Sequence, residues 1–212
     1  MQTMTDMKKI LLLSTLFFLG LSTYSDNTPC NLTDKGVLIN GIRWATRNVD
    51  APGTFAETPE SPGMFFQWNR RKGWSMSYEQ RLEGWDRSIP EGTKWSAEND
   101  PCPEGWRVPT IDEINSLVDA GSEWINQNDV NGRLFGTAPY QIFLPSVGFR
   151  GFDNNFHRDI GRGWYWSSSP IRGRFFINND AKALRFNRRI VRTGNRGGSW
   201  RANALSVRCV AK

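Results

Sequence analysis

Apolar residues in this chain come in short runs between long polar, glycine-rich stretches, and one segment repeats them at the helical period. From Thr110 to about Asn126, the residues Ile111, Ile114, Leu117 and Val118 form a single apolar stripe. Thr110 and Glu113 have the spacing of a capping box, and Pro109 blocks an earlier start, so a helix is predicted over this span. Elsewhere the period is two. Gly36 to Val49 alternates as strands do and is broken by Asn40-Gly41, a dipeptide suited to the left-handed residues of a tight hairpin. Further β-like pieces are Ile142–Leu144, Gly163–Ser167 and Ala183–Phe186. From Ala204 to Val210 the alternation is clean, with Leu205, Val207 and Cys209 on one face and Ser206, Arg208 and Val210 on the other. Residues 26–35 read as a polar arm, and residues 50–63, rich in Pro, Gly, Thr and Glu, as a loop. Met64 to Asn99 carries Trp68, Trp74, Trp85 and Trp95 among glycines and charges, and reads as irregular structure pinned by aromatic rings. An early hairpin, a central helix and later strands separated by long loops make an α+β pattern with the last strand in the sheet.

The N-terminal pattern is of another kind. Lys8 and Lys9 precede an apolar run from Ile10 to Leu21, and Ser22-Thr23-Tyr24-Ser25 follows. So short a run with those flanks predicts a secretory signal peptide, cleaved near Ser25, and not a membrane span. Cys30 does not follow a lipobox, so no lipid anchor is expected. The organisation expected is a signal peptide over 1–25, an arm over 26–35 and one domain over 36–212. The absence of a second hydrophobic segment predicts no membrane span after cleavage and a secreted or cell-surface location. Only 38% of the 212 residues are hydrophobic, yet 10 Trp and 13 Phe supply large apolar area per residue, enough for a core. In an oxidising compartment the three cysteines favour one bridge and one leftover thiol. The pair expected is Cys102 with Cys209, which ties the middle of the chain to its last strand. One histidine and three scattered cysteines offer no zinc-finger spacing.

Five blocks, in order, carry a family likeness. They are Gly41–Val49 (GIRWATRNV), Pro101–Thr110 (PCPEGWRVPT), Leu144–Arg150 (LPSVGFR), Tyr165–Ser169 (YWSSS) and the closing Leu205–Val210 (LSVRCV). Together they resemble the Fibrobacter succinogenes major paralogous domain, found in exported proteins of gut-type bacteria, and the likeness covers nearly all of the chain after the signal peptide. That family is similar to the C-type lectin-like fold. The resemblance therefore implies small antiparallel sheets, a flanking helix and long irregular loops, and it implies the same Cys102–Cys209 bridge. It names no ligand.

The chemistry legible in the residues points away from catalysis. Asn195–Trp200 and Val207-Arg208-Cys209 resemble signatures of formylglycine-generating enzymes, which share this fold. Those enzymes need a reactive cysteine pair between the signatures, and residues 200–208 contain no cysteine. His157 is the single histidine, with no nucleophile elbow near it. Asp112 and Glu113 fall in the first turn of the predicted helix, where the helix dipole favours them, and no phosphate-binding glycine loop follows a strand. The lectin calcium motifs Glu-Pro-Asn, Gln-Pro-Asp and Trp-Asn-Asp do not occur. Asn178-Asn179-Asp180 offers hard oxygen atoms, so calcium is the one cofactor the sequence admits, and otherwise no cofactor and no metal is expected.

Charge gives the sharpest local signal. From Arg158 to Arg208 lie eleven Arg and one Lys against Asp159 and Asp180. Such a field attracts anions: sulfated or uronic-acid glycans, a lipopolysaccharide phosphate, or an acidic protein face. Export argues against nucleic acid. The same segment has a compositional bias, since Ile171 to Leu205 contains no Glu, Gln or Met, one Lys and one Trp. Most of its residues are those reached by changing the adenines of an AAC codon, as in the variable proteins of diversity-generating retroelements, which lectin-like domains with this ending resemble. On that pattern Ile171–Ala204 is a diversified ligand-binding face, with Trp166, Leu184, Phe186 and the last strand as scaffold. The predicted ligand-binding residues are Ile171, Arg172, Arg174, Phe175, Phe176, Asn178, Arg185, Arg188, Arg189, Arg192, Asn195, Trp200 and Arg201: charged forks beside flat rings. The expected function is a non-catalytic, lectin-like adhesin for an anionic glycan or a surface protein of a host or neighbouring bacterium. The rival readings are a structural or tip subunit of a fimbria or outer-surface assembly, and an enzyme of the formylglycine-generating kind.

Overall fold

A computed structural model describes residues 34–77, 81–157, 161–171 and 179–212. Ahead of the helix lie β1 (Val37–Ile39), β2 (Ile42–Trp44), β3 (Phe65–Gln67), β4 (Gly73–Trp74) and β5 (Trp106–Arg107). The helix, α1, spans Ile111–Asp119. It is followed by β6 (Ser122–Gln127), β7 (Val130–Thr137), β8 (Tyr140–Pro145), β9 (Phe149–Arg150) and β10 (Phe156–His157). Then come β11 (Arg162–Pro170), β12 (Asp180–Asn187), β13 (Val191–Arg192), β14 (Ser199–Trp200), β15 (Ala204–Leu205) and β16 (Val210–Ala211). The strands make small antiparallel sheets, ordered β1-β2-β16-β5, β10-β9-β15-β3-β4, β6-β7-β8 and β11-β12-β13, with β14 also on β12. The result is a β-rich fold with one helix. Among the described residues no helix is long and apolar enough to cross a membrane.

The two-residue turn at Asn40-Gly41 forms as predicted, both residues having positive φ, and sets β1 against β2. The capping box also forms. The Thr110 hydroxyl accepts from the Glu113 amide, and the Glu113 carboxylate accepts from the Thr110 amide. The helix is shorter than predicted. Gly121 takes a φ of +84°, a left-handed conformation that ends helices, and the chain turns back as a strand. Residues 122–126, expected in the helix, belong to β6, which is paired along its whole length with β7. The last segment departs from a single strand. β15 and β16 belong to different sheets, and residues 206–209 between them bond to neighbours on both sides, Val49 N to Val207 O and Ala45 N to Cys209 O among them. Every residue from Ala204 to Val210 is buried, so its alternation divides two interiors and not core from solvent.

Residues of all five sequence blocks meet in one buried cluster. Cys102 is bonded to Cys209, as expected from the compartment and the resemblance. One residue earlier, Arg208 is 1% exposed and donates to Asn48 Oδ1 twice (3.0 and 2.8 Å), to Ala45 O (3.2 Å) and to Phe143 O (3.0 Å). Asn48 also donates to Pro62 O, and the buried Tyr165 hydroxyl donates to Pro145 O (2.9 Å). Burial pushes the Arg208 guanidinium down to about 10 and the Tyr165 hydroxyl up to about 12. The chain's WATRN and SVRCV blocks are thus two halves of one buried polar lock. Around it the indole N–H groups of Trp68 and Trp166 donate to Ser167 O and Phe66 O, and Ile111, Ile114 and Leu117 seat α1 on Phe135, Leu144, Leu184 and Phe186.

Candidate ligand-binding cleft

β12 divides the predicted site into two. Asn179, Asp180, Trp200 and Arg201 gather at its beginning, whereas Arg185, Arg188, Arg189 and Arg192 gather at its end. The seven steps from Asp180 to Asn187 separate those ends by roughly 23 Å at about 3.3 Å per residue. Among the described residues, the predicted ones thus fall into two groups, one at each end of β12. Arg172, Arg174, Phe175, Phe176 and Asn178 lie outside the described residues, and Asn195 belongs to the short turn Gly194–Arg196.

Two recesses adjoin the beginning of β12. β14 pairs there, placing Trp200 opposite Asp180. The Trp200 indole is 52% exposed and lies 4.9 Å, ring to ring, from Phe152, itself 45% exposed. Phe152 is held on both sides of its peptide: its N–H donates to Asn203 Oδ1 (2.8 Å), and its carbonyl accepts from Trp85 Nε1 (2.9 Å). With Arg87, Ile89, Asn179 and Ala202, these rings line a recess of about 200 Å³. Ile89, 45% exposed, also borders a cleft of about 410 Å³ lined as well by Pro170, Ile171, Asn179 and Arg201. On the other flank of the same loop a third cleft, of about 890 Å³, is lined by Arg70, Arg71, Lys72, Asp86 and Glu91.

What holds this loop in place is largely Arg201. It is 3% exposed, its guanidinium lies 4.2 Å over the Trp68 ring, and it donates to Gly92 O (2.8 Å), Pro90 O (3.4 Å) and Asp180 O (3.2 Å). Arg201, expected as a ligand contact, lines the cleft and also ties its wall together through Pro90 O, Gly92 O and Asp180 O. Asn69 does the same from the β3–β4 turn, accepting from Ser96 N and donating to Glu91 O. Arg70 is fixed by Asp86 (2.8 Å) and Ser88 Oγ (2.6 Å). Ile171 is buried as part of the wall. Burial pushes the Asp180 carboxyl up, and the nearby Arg201 charge opposes this in part. No group of three or more His, Cys, Asp or Glu suited to a metal occurs among the described residues, and Asn178 of the Asn178-Asn179-Asp180 oxygens lies outside them.

Sequence reasoning missed Phe152, Ile89 and Arg87, which stand in segments with no strand or helix signal. The one available sign was an isolated apolar residue inside a polar glycine-rich stretch, Gly151-Phe152-Asp153. His157 stacks on Phe149 at 4.7 Å, with its Nε2 3.8 Å from Asp153, which gives the imidazole a packing role. The chain matches no family model, no curated protein and no solved structure with which it was compared.

Proposed function

We propose that this chain is an exported, non-catalytic recognition module with a C-type lectin-like fold, akin to the Fibrobacter succinogenes major paralogous domain, and that it holds a glycan in the clefts beside Trp200. The observation that carries this reading is the half-exposed Trp200 ring, braced by Phe152 and set among Arg87, Ile89 and Asn179. A pyranose ring has an apolar C–H face and a polar rim. A braced indole with donors and acceptors around it matches both, in the manner of sites that combine flat apolar walls with a few convergent polar groups. The Cys102–Cys209 bond supports export, and the bridging of Cys209 supports the non-catalytic reading. The joining of the WATRN and SVRCV blocks through Arg208 gives a physical reason for the sequence blocks on which the family likeness rests.

The test is a glycan array probed with the full chain made through an oxidising secretory route, with calcium and with chelator. Selective binding to one saccharide class, insensitive to chelator, is the expected result. Silence across the array from folded protein would overturn the glycan reading and favour a structural subunit of a surface assembly, which would cover Trp200 with a partner protein. Diversification of Ile171–Ala204 has a separate test, in DNA: an adenine-rich near-copy of the segment beside a reverse transcriptase is expected, and its absence would end that idea.

A further inference from the structure

The far end of β12 carries the arginines that the cleft does not use. Arg188 and Arg189 occupy the turn between β12 and β13, both exposed, and Arg192 follows, exposed, in β13. Arg192 stands directly opposite Arg185 in the β12–β13 register. Like charges at facing positions destabilise a sheet, so stability is no reason for this arrangement. Arg185 is held by the face of the Trp164 ring, 4.8 Å from its guanidinium carbon. Among the described residues no carboxylate pairs with Arg188, Arg189 or Arg192.

The backbone beneath these charges is fixed before any ligand arrives. Asn187 Oδ1 accepts from the amides of Arg189 (2.8 Å) and Ile190 (2.9 Å), closing the turn. Arg133, largely buried on β7, reaches under it and donates to Asn187 O (3.0 Å) and Arg188 O (3.2 Å), while its other nitrogen binds Ser122 Oγ (2.8 Å). A charged turn held this way pays little ordering entropy on binding. We propose that the β12–β13 turn is a second binding surface, separate from the cleft, that takes an anionic polysaccharide, sulfated or uronic, on Arg188, Arg189 and Arg192.

The chemistry selects this partner class. Guanidinium forks grip carboxylate and sulfate groups two oxygens at a time. Several forks in a row along one hairpin suit a polymer with repeating charges better than a single small anion. A single-stranded nucleic acid repeats its charge too, but its binders interleave exposed aromatic rings to stack the bases. Here the described rings placed beside these strands, Trp164 under Arg185 and Phe186 opposite Val191, are buried. The cleft near Trp200 lies roughly 23 Å away, so one molecule can hold a specific sugar at one end and an anionic chain at the other.

The test uses the full chain on heparin resin with a sodium chloride gradient, and on a sulfopropyl resin that has the charge without the sugar. Wild type is expected to leave heparin at higher salt than it leaves sulfopropyl. Arg188→Gln/Arg189→Gln/Arg192→Gln should bind heparin at least about tenfold more weakly, and the corresponding triple Lys variant should fall between, having charge without forks. Trp200→Ala should elute with wild type, which keeps this result distinct from success or failure at the cleft. Matching urea midpoints establish that each variant is folded; if the triple Gln variant is not, Arg189→Gln alone, at an exposed turn position, must still elute earlier. Elution of the folded Gln variants with wild type would overturn the proposal. So would release of wild type from heparin no later than from sulfopropyl, or displacement of bound heparin by a single-stranded oligonucleotide more readily than by free heparin.

Discussion

Replacing Arg208 by Met removes the donor at the centre of the fold while retaining most of its length. Four hydrogen bonds are lost, two of them to Asn48 Oδ1 and one each to Ala45 O and Phe143 O. Bonds from a charged donor contribute about 1.5–3 kcal/mol each, so the summed loss is of the order of 6–12 kcal/mol. Against this stands the burial of the charge. A guanidinium held at about 10 against an ordinary 12.5 has its charged form disfavoured by roughly 3 kcal/mol, and Met recovers that. The difference, about 3–9 kcal/mol, includes the 3–5 kcal/mol that breaking a buried charged network usually costs, and that lower part is the expected loss. For a domain stable by about 5–15 kcal/mol this is a large fraction. Urea unfolding at 25 °C with the disulfide intact, followed by tryptophan fluorescence, should show the midpoint fall by about 2 M with an unchanged slope. Arg208→Lys keeps a charge but cannot reach four acceptors, and should lose nearly as much. A loss below about 1 kcal/mol for Arg208→Met would refute the reasoning, because the guanidinium bonds would then merely offset their own desolvation.

Other consequences are smaller or more local. Cys102 and Cys209 are 107 residues apart. The chain-entropy account thus assigns the bond about 5 kcal/mol, and Cys102→Ala/Cys209→Ala should lower Tm by about 10–15 °C in calorimetry. Thr110→Ala should cost about 1 kcal/mol in urea by removing the helix cap. Burial pushes the Glu113 carboxyl up, but the Arg107 fork and the Thr110 amide and hydroxyl outweigh it and hold the group below its ordinary value. The stability Glu113 adds is therefore present above its unfolded pKa and lost as pH falls through the lower folded one; Glu113→Gln should flatten that part of the acid unfolding curve. Arg201→Ala frees the carbonyls of Pro90 and Gly92 and leaves Asp180 without its counter-charge, and should cost about 3 kcal/mol by urea titration.

Local signals were readable wherever a few neighbouring residues determine the outcome. Asn40-Gly41 can make only a narrow set of turns, and Thr110 with Glu113 caps a helix from four residues alone, so both formed as expected. The end of the helix was misread because Trp124 and Ile125 continue an apolar pattern compatible with either element. The decision lay with Gly121 and with β7, whose full-length pairing supplies hydrogen bonds that a longer helix would forgo. The last strand was misread for a related reason: alternation locates two faces but does not say that both are buried, which here follows from contacts with residues 45–49 and 164–165, far away in sequence. At the site, Trp200 stood out as the one tryptophan in a biased segment. Phe152, Ile89 and Arg87 did not, because their grouping depends on three loops converging. The arginine count was legible, but its division between the two ends of β12 was not, since that depends on where β13 and β14 pair.

The central claim is that the Trp200 ring, braced on Phe152, is the ligand platform. The most direct measurement is isothermal titration of the best saccharide from the array into wild type, Trp200→Ala and Trp200→Phe, each with a matched unfolding midpoint. Trp200→Ala should bind about tenfold more weakly or worse, while Trp200→Phe, which keeps a flat ring, should stay close to wild type. Equal affinity for wild type and Trp200→Ala would contradict the account.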